Sequence, residues 1–449
     1  MWNRRNIQDK ATNARVASEG IENVTKAPPP RTGLERYLCS GSTILAHERL
    51  SIVDPQSGGQ PLYSPDRKQI LAVNGEIYNH RDIRTKYAGK YDFQTGSDCE
   101  VILALYKDKG IRFLEELNGI FAFAVDDTRN ERVFLCRDRF GVKPLFYTFS
   151  GSRLVFASEI KALFEYPGVR PLLGRTGICE IFGLGPARTP GCGVFENIRE
   201  ILPGHAAVFG RDGFSEYPYF RLEARPFTDD YDTAVQKVRA LLEDIVSRQL
   251  VSDVPLCTFL SGGLDSSAVT AIAAAQCRDR GLPLHTYSFE YQENARYFAP
   301  SDYRPDRDAP WAEKAGALLQ TEHHTLICDN DRLADLLTDA VIARDLPGMA
   351  DIDASLLYFC RTVKKTATRL PYAANAPMRF LRGTRGSSAD IPQGSSPGRR
   401  IFPNASGCSG RRSRLKRRSR IMSASGTGRR PTPCRCCAGN RRKTGASAR

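Results

Sequence analysis

The chain has 449 residues, of which 41% are hydrophobic and 26% are charged. This composition is typical of globular proteins, and the length suits two domains with cores of their own, which excludes a peptide or a minimal binding module. The formal net charge of +15 arises at the C-terminal end, because residues 371–449 hold 19 of the 65 Lys and Arg residues and one acidic residue, Asp390. Residues 1–370 therefore carry about −3 and show no sign of a nucleic-acid surface.

The sequence also bears on location and redox state. No apolar run reaches the roughly 20 residues of a membrane helix, and the start lacks the apolar stretch of a signal peptide, so we expect a cytoplasmic protein without a membrane partner. The 13 cysteines are mostly scattered singly, which fits reduced, buried thiols. The one tight group, Cys434, Cys436 and Cys437, has no second ligand pair, so we expect no metal site there.

The first half of the sequence predicts an α+β domain. Short alternating apolar stretches, separated by turn dipeptides, predict antiparallel strands. Between the first two of them, Asp98 suits a helix N-cap, and Val101, Ile102, Leu105 and Tyr106 share one helical face. A sheet with packed helices follows from these patterns. The predicted strands are residues 69–74, 119–125, 132–136, 145–147 and 153–157.

The second half changes to strands that alternate with helices, which indicates a parallel, doubly wound sheet. It opens with a predicted helix at 231–250, whose apolar stripe is Val235, Val238, Leu242 and Ile245. Past residue 368 the sequence turns to Arg, Ser, Gly, Pro and Ala, which cannot bury enough surface to offset chain entropy, so we predict disorder there. The predicted strands are 254–260, 284–291 and 323–328, and the helices are 264–277, 309–319, 332–344 and 354–366.

The sharpest chemical signal is the stretch Leu260-Ser-Gly-Gly-Leu-Asp-Ser-Ser267, between a predicted strand and a predicted helix. Gly262 and Gly263 let the backbone approach an anion, and the free N–H groups of the following helix attract phosphate. The hydroxyls of Ser261, Ser266 and Ser267 add donors, and Asp265 could hold Mg²⁺ near the phosphates. The alternative is a tight turn that needs glycine for its geometry alone. The loop is not a Walker loop, because Gly-Lys-Ser/Thr is missing.

This loop resembles the pyrophosphate-binding loop of ATP pyrophosphatases, which cleave ATP between its α- and β-phosphates. Several first-half motifs resemble a glutaminase domain, and their combination and order resemble glutamine-hydrolysing asparagine synthetases. The resemblance implies an α+β N-terminal nucleophile-type glutaminase sandwich, then a truncated α/β doubly wound synthetase domain and a disordered basic tail. The motifs are Arg49–Asp54, Val73–Asn79, Thr95–Asp98, Leu117–Phe123, Arg137–Tyr147 and Phe156–Ala162. The expected segments are an atypical N-terminal segment 1–36, a glutaminase-like domain 37–209, a linker 210–230, an incomplete synthetase domain 231–368 and the tail 369–449.

The resemblance implies a reaction at two sites. Aspartate attacks the α-phosphorus of ATP·Mg²⁺ to give β-aspartyl-AMP and pyrophosphate, and ammonia from glutamine then displaces AMP to give asparagine. Leu260–Ser267 would hold the nucleotide, with Asp265 at the metal, and Phe289 would lie where the family touches adenosine. A core aromatic on a buried strand is the competing interpretation of Phe289.

The resemblance also assigns a glutamine site. Arg49 would pair with the α-carboxylate of glutamine, and Asp98 and Glu76 would accept its α-ammonium or nearby donors. Asn74 and the N–H of Gly75 match the oxyanion hole of the family. Taken alone, Asn74-Gly75 would favour a hairpin turn, and the flanking motif reverses that preference. His205 and His323-His324 are expected to be structural or surface residues.

The sequence departs from the family at both ends. The family uses a cysteine after the initiator methionine, whereas position 2 is Trp2, so no thioester from glutamine is expected. We reject Cys39 as a substitute because it has no free amine. The second ATP and aspartate loop expected after residue 368 is also missing. A shifted reading frame would explain this change, and the absence of any family motif in the other frames of the gene would contradict it.

Two other functions stay open. A related amide-forming enzyme, such as a β-lactam synthetase, can also lack the cysteine, but the presence of Arg49, Asn74-Gly75 and Asp98 favours glutamine. A basic tail that binds RNA or DNA would show steep salt dependence. That tail has few aromatic residues for stacking, so we do not expect a nucleic-acid partner. The expected partners are aspartate, glutamine and ATP, and a homodimer remains open.

Overall fold

The computed structural model describes residues 35–40, 43–254, 256–302, 305–365 and 370–372. Trp2 and the rest of the atypical N-terminal segment up to residue 34 lie outside these residues, as does the tail from residue 373 with its cysteines. All described residues belong to one compact unit. No helix among them is both long enough and apolar enough to cross a membrane.

Eleven strands and four α-helices make up the first part of the described chain. The strands are β1 (Glu35–Ser40), β2 (Thr43–Glu48), β3 (Leu62–Tyr63), β4 (Gln69–Ile77), β5 (Gly119–Asp127), β6 (Arg132–Arg137), β7 (Phe146–Ser150), β8 (Arg153–Ala157), β9 (Arg199–Glu200), β10 (His205–Gly210) and β11 (Gly213–Pro218). The helices are α1 (His80–Lys86), α2 (Val101–Lys109), α3 (Ile160–Phe164) and α4 (Arg175–Leu184), and two 3₁₀ turns span Asp98–Glu100 and Gly110–Glu116.

Nine of these strands form two stacked antiparallel sheets, and β1 pairs with β2 in a separate two-stranded antiparallel sheet. A six-stranded sheet runs in the order β11-β10-β6-β5-β4-β3, and a three-stranded sheet in the order β8-β7-β9. Strand alternation explains the stacking: Phe121, Phe123 and Val125 on β5 pack toward the helices α1 and α2, whereas Ala122 and Ala124 face the smaller sheet. The helices α3 and α4 cover the other face of the smaller sheet. The result is four layers, with helices outside and sheets inside.

The predicted strands of this part are confirmed, and two details differ. The boundary at residue 209 is wrong, because β11 pairs with β10 along its whole length and so takes part of the predicted linker 210–230 into the sheet. Its two aromatic residues, Phe214 and Tyr217, are three positions apart and face different cores, so no alternating pattern marks the strand. The sequence predicts one buried face for α2, but all of its residues from Val101 to Tyr106 are buried. The helix lies inside the core between the six-stranded sheet and its covering helices.

The second part of the described chain alternates strands and helices as predicted. Its helices are α5 (Tyr231–Gln249), α6 (Leu264–Asp279), α7 (Asn294–Tyr297), α8 (Asp308–Leu318), α9 (Asn330–Arg344) and α10 (Ala350–Lys365). Its strands are β12 (Leu256–Phe259), β13 (His285–Tyr291), β14 (Glu322–Cys328) and β15 (Leu370–Tyr372).

The four strands form one parallel sheet in the order β14-β13-β12-β15. The chain starts at β12, moves outward to β13 and β14, and returns to the other side of β12 with β15. The strand order therefore reverses between β12 and β15, and in open sheets of this kind ligands bind at the carboxyl ends of the strands where the order reverses. Helices α5 and α6 pack on one face and α10 on the other, which confirms the doubly wound arrangement.

Two expectations for this part are wrong. A strand follows residue 368 after all, since Leu370, Pro371 and Tyr372 pair with β12. Three residues are too few to show a strand pattern in the sequence. The stripe on α5 does not all face the core, because Val235 and Val238 are exposed. The C-terminal end of α5 makes the buried contacts instead, through Val246 and Leu250.

Gly75 lies where the backbones of β4 and β5 approach each other closely. A Cβ at Gly75 would lie 2.1 Å from the carbonyl oxygen of Ile120 and 2.6 Å from Cα of Phe121, so two paired backbones would have to separate. We expect Gly75→Ala to cost about 3 kcal/mol or more of unfolding free energy, measured by urea denaturation. Gly89→Ala is the control, because Gly89 has φ +74° but open space around it and should cost only about 1–2 kcal/mol. Equal costs would contradict the contact.

Candidate active sites

The first candidate site lies along β4. Asn74, Gly75 and Glu76 are inside this strand, where Asn74 and Gly75 pair with Ala122 and Phe121 of β5. The hairpin interpretation of Asn74-Gly75 is therefore wrong. The side-chain amide of Asn74 donates to Oγ of Ser158 at 3.3 Å, so its nitrogen is held by the segment that precedes α3.

A pair of acidic residues forms one end of this site. The Oδ2 atom of Asp98 accepts a hydrogen bond of 2.8 Å from the N–H of Ile77, which holds the start of the 3₁₀ turn against β4. Burial of Glu76, together with the charge of Asp98, raises the pKa of Glu76 to about 7, and Lys143 opposes this shift. Near neutral pH, Glu76 is thus shared between its protonated and charged forms. A ligand ammonium would bind the charged form.

Arg49 is held by its own loop. Its guanidinium donates to the carbonyl oxygens of Val53 and of Asp54, the latter at 3.0 Å. Asp54 in turn accepts a 2.7 Å hydrogen bond from the N–H of Gly96, and Ser57 donates to it as well. Asp54 therefore brings the Arg49 loop to the loop that ends in Asp98. Although partial burial opposes the shift, the hydrogen bonds from Ser57 and Gly96 and the charge of Arg49 hold the pKa of Asp54 below its usual range.

The loop before Asp98 is fixed from both sides. The buried carboxylate of Glu100 accepts from the N–H groups of Gln94 and Thr95 at 2.7 and 2.8 Å. On the other side, Arg84 of α1 donates to the carbonyl oxygens of Thr95 and Ser97 at 2.9 and 2.6 Å. This bracing positions Asp98 without any contact from a ligand.

Cys99 lies beside the site without being suited to nucleophilic attack. Its sulfur is 3.7 Å from the carbonyl oxygen of Gly75 and 3.6 Å from Oδ2 of Asp98. Burial and the neighbouring carboxylate of Asp98 raise the pKa of the Cys99 thiol well above its usual value. The thiol therefore stays protonated at neutral pH.

The second candidate site is the loop after β12. Its first residue, Leu260, is buried and donates its N–H to the carbonyl oxygen of Tyr287 at 2.8 Å, which extends the pairing with β13. Gly262 has φ +80°, and a Cβ there would lie 2.7 Å from the N atom of Ala312 in α8. The backbone conformation and the close packing at this position are therefore enough to explain why residue 262 is glycine.

Gly263 differs from its neighbour. A Cβ at Gly263 would meet only Oγ of Ser261, at 3.6 Å, and the residue is exposed. Gly263 is also the N-cap of α6, and no side chain caps this 16-residue helix. The first N–H groups of α6 therefore have no side-chain partner at the cap and can bind an anion that approaches over Gly263.

The serines of the loop form a local network. Oγ of Ser266 accepts from the N–H of Ser261 at 3.2 Å, and the two hydroxyls lie 3.0 Å apart. Asp265 is half-buried in the first turn of α6, where the helix dipole favours a carboxylate even without a metal. Ser267 is also in this turn, and its N–H donates to the carbonyl oxygen of Gly263 at 3.0 Å.

Phe289 lies on β13, two residues beyond Tyr287 and thus at the same edge of the sheet as the loop. Its ring packs with Tyr291 at a centroid distance of 5.0 Å and with Phe359 of α10 at 6.3 Å. The structure therefore supports the core-aromatic interpretation for this ring. Its position on the sheet remains compatible with a contact to a base.

Sequence reasoning missed the residues that connect the two sites. The N–H of Asp54 donates to Asp253 at 2.7 Å, and the N–H of Asp253 donates to Ile52 at 3.0 Å. At a second contact, Asp345 accepts from the N–H of Ile160 at 2.6 Å and from Lys161 at 2.9 Å. Asp54 is the last residue of the motif Arg49–Asp54. Nothing in the sequence around residue 345 indicates the partner of Asp345.

Comparison with known proteins agrees with this two-part arrangement. Residues 13–220 match the glutamine amidotransferase domain family, and residues 237–370 match the asparagine synthase family. The chain is 49% identical over 327 residues to asparagine synthetase [glutamine-hydrolyzing] 3 of Bacillus subtilis, covering 72% of this chain and 53% of that protein. It is 41% identical over 329 residues to asparagine synthetase B [glutamine-hydrolyzing] of Escherichia coli, covering 70% and 52%.

The chain belongs to the family of glutamine-hydrolysing asparagine synthetases. It spans about half the length of these two relatives. Among solved structures, glutamine phosphoribosylpyrophosphate amidotransferase of B. subtilis has a TM-score of 0.27 and 18% identity, covering 60% of this chain and 64% of that one. This similarity is too low to assign the fold, which is defined here by the sheets described above.

Glu76 should make stability depend on pH. Its pKa is raised from 4.5 to about 7 in the folded protein, so ionisation costs the folded state more than the unfolded one. The cost is absent below pH 4.5, grows up to about pH 7 and stays complete above it. We expect Glu76→Gln to flatten this dependence and to gain up to about 3 kcal/mol at pH 8, measured by urea unfolding across pH. The exposed Glu165→Gln should leave the curve unchanged, and an equal effect of both would contradict the assignment.

Asp54 should protect the amide of Gly96 from exchange. Asp54→Ala removes the carboxylate that accepts this N–H, so we expect Gly96 to exchange at least about tenfold faster in hydrogen–deuterium exchange, with about 1–3 kcal/mol lost. Asp66→Ala is the matched control, because Asp66 accepts from Ser64 and Lys68 within its own turn. Unchanged exchange at Gly96 in Asp54→Ala would show that the loop is held by other contacts.

Proposed function

We propose that this chain binds ATP at Leu260–Ser267 and uses it to activate aspartate for amide formation. The observation that carries the proposal is the placement of this loop. It follows the strand β12, next to the point where the strand order reverses, and it leads into an uncapped helix N-terminus that is open at Gly263. Membership of the asparagine synthetase family supports the same reaction.

The proposed chemistry has two steps. A β-carboxylate oxygen of aspartate attacks the α-phosphorus of ATP, so that the bond to the bridging oxygen breaks and pyrophosphate leaves. Ammonia then attacks the carbonyl carbon of β-aspartyl-AMP, AMP leaves with the electron pair of the C–O bond, and asparagine forms after loss of a proton. In this scheme the N–H groups of α6 and the hydroxyls of Ser261 and Ser267 hold the phosphates and the leaving pyrophosphate.

The loop also fits a bound magnesium ion. Mg²⁺ is commonly held by one or two carboxylates together with substrate phosphates, and Asp265 offers a half-exposed carboxylate in the first turn of α6. When bound, the ion would neutralise phosphate charge. Asp265 would be the carboxylate that holds it.

We propose that the first site binds glutamine. The acidic pair Glu76 and Asp98 would hold its α-ammonium, and Asn74 with the N–H of Gly75 would face the amide oxygen. Arg49 would pair with the α-carboxylate. Support comes from the hydrogen bonds of Arg49, since those to Val53 and Asp54 use two of its five N–H groups.

Glutamine binding does not by itself deliver ammonia. The cysteine that lies beside this site in the described part of the chain is Cys99, whose thiol is buried with a raised pKa. We therefore propose that the described residues bind glutamine without hydrolysing it and that external ammonia serves as the nitrogen donor. Efficient glutamine hydrolysis by the purified protein would contradict this proposal.

Gly263 gives the sharpest test of the nucleotide site. Gly263→Ala adds a methyl group in open space, at φ −73°, so the fold should be unchanged. The methyl group would occupy the approach to the helix N-terminus, so we expect ATP·Mg²⁺ to bind at least about tenfold more weakly by calorimetry. Binding is the readout because the chain spans half of its relatives.

The matched control is Ala275→Ser, which adds one atom at an exposed position of the same helix. It should leave ATP binding and the unfolding midpoint unchanged. If Gly263→Ala bound ATP as well as the unchanged protein, the phosphates would not lie over Gly263 and the proposed site would be wrong.

A further inference from the structure

A cluster of potential metal ligands lies at the opposite edge of the parallel sheet. His285 is the first residue of β13, and Glu322, its partner in the register, is the first residue of β14. Side chains alternate along a strand, so Glu322 and His324 point to the same face, which is also the face of His285. His323, between them, points to the other face. The cluster is therefore at the amino ends of these strands, away from the loop at Leu260–Ser267.

The distances within the cluster suit a shared metal ion. Nδ1 of His285 lies 3.3 Å from Nε2 of His324 and 3.2 Å from Oε2 of Glu322. Zinc bonds of about 2.0–2.1 Å at tetrahedral angles place neighbouring ligand atoms about 3.3 Å apart. The three ligand atoms all lie within 4.8 Å of one another. Two of the three spacings thus match a coordinated ion directly.

The ring geometry shows what binding would require. The two imidazole planes are 21° apart, with centroids 5.6 Å apart. An ion bonded to both nitrogens would lie about 1.2 Å off the line that joins them, given the bond length above. Rotation of the rings and closure of the Glu322 carboxylate would bring all three atoms onto the ion. Glu322 and His324 are exposed, so these side chains can turn on their solvent side, although the His324 ring also stacks on Tyr287 at a centroid distance of 4.9 Å.

The donor set selects the class of ion. Two imidazole nitrogens and one carboxylate oxygen are typical zinc ligands, and imidazole is a poor ligand for Mg²⁺ and Ca²⁺. Since Glu322 and His324 are exposed, a fourth position would be open to water. We propose that His285, Glu322 and His324 form a binding site for Zn²⁺ or a similar divalent transition metal, which crosslinks the edge strand β14 to β13. This proposal is independent of the proposed reaction.

Without a metal, the same three groups form a surface hydrogen-bonded cluster, in which His285 is shared between Glu322 and His324. Co²⁺ distinguishes these cases in the full chain, because its d–d absorption reports nitrogen and oxygen ligands, whereas thiolates add an intense charge-transfer band. This distinction matters because the chain has 13 cysteines that could also bind metal. The test is thus a titration with Co²⁺ followed by displacement with Zn²⁺.

We expect one equivalent of Co²⁺ to give d–d bands without a thiolate band, and Zn²⁺ to remove them. His324→Ala and Glu322→Gln should each weaken binding at least about 100-fold. His323→Gln is the adjacent control, because His323 bonds Thr286 and Ser288 on the other face, and it should bind as the unchanged protein does. Unfolding midpoints without metal establish that each variant is folded. Co²⁺ spectra that are the same in His324→Ala and the unchanged protein, or the absence of d–d bands in the latter, would overturn the proposal.

Discussion

The carboxylate of Asp54 is the contact on which the arrangement of the first site depends. It accepts the N–H of Gly96, while the carbonyl of the same residue accepts from Arg49 and its N–H donates to Asp253. One residue thus joins three loops, and its backbone is in the left-handed region with a φ of +51°. This junction connects the Arg49 loop to the loop that ends in Asp98, which Glu100 and Arg84 also hold in place.

The second site depends on backbone packing more than on side chains. Gly262 lets α8 approach the loop so closely that no Cβ would fit, and the pairing of Leu260 with Tyr287 fixes where the loop begins. The groups proposed to bind the anion are then N–H groups of a helix. Substitutions should therefore affect the two sites differently. Shortening a side chain weakens the contacts of the first site one at a time, whereas the second site is affected mainly by substitutions that add a Cβ to a glycine.

The sequence was sufficient for features that repeat with a regular period. Alternation along 119–125 and 132–136 predicted two faces of one sheet, and the alternating strands and helices after residue 254 predicted the parallel sheet, both of which the structure shows. Contacts between distant residues were not predictable in this way. Asp54 and Asp253 are 199 positions apart, and Asp345 contacts a helix start 185 positions earlier. No local pattern encodes such a pairing. The strand at Leu370–Tyr372 was missed for a related reason, since three residues are too few to show a period.

Two of the contacts between the parts of the chain involve residues that support the first site. Asp253 holds the Arg49 loop, and it precedes β12, the strand that leads into Leu260–Ser267. Asp345 holds the N–H of Ile160, two residues after Ser158, whose hydroxyl accepts from Asn74. Leu346 adds an apolar anchor, because it is buried in the core around Ile160. Arg49, proposed for the α-carboxylate, is thus linked to the second part through Asp54, and Asn74, proposed for the oxyanion hole, is linked to it through the segment from Ser158 to Ile160. The geometry of the first site therefore depends on contacts from both parts of the chain.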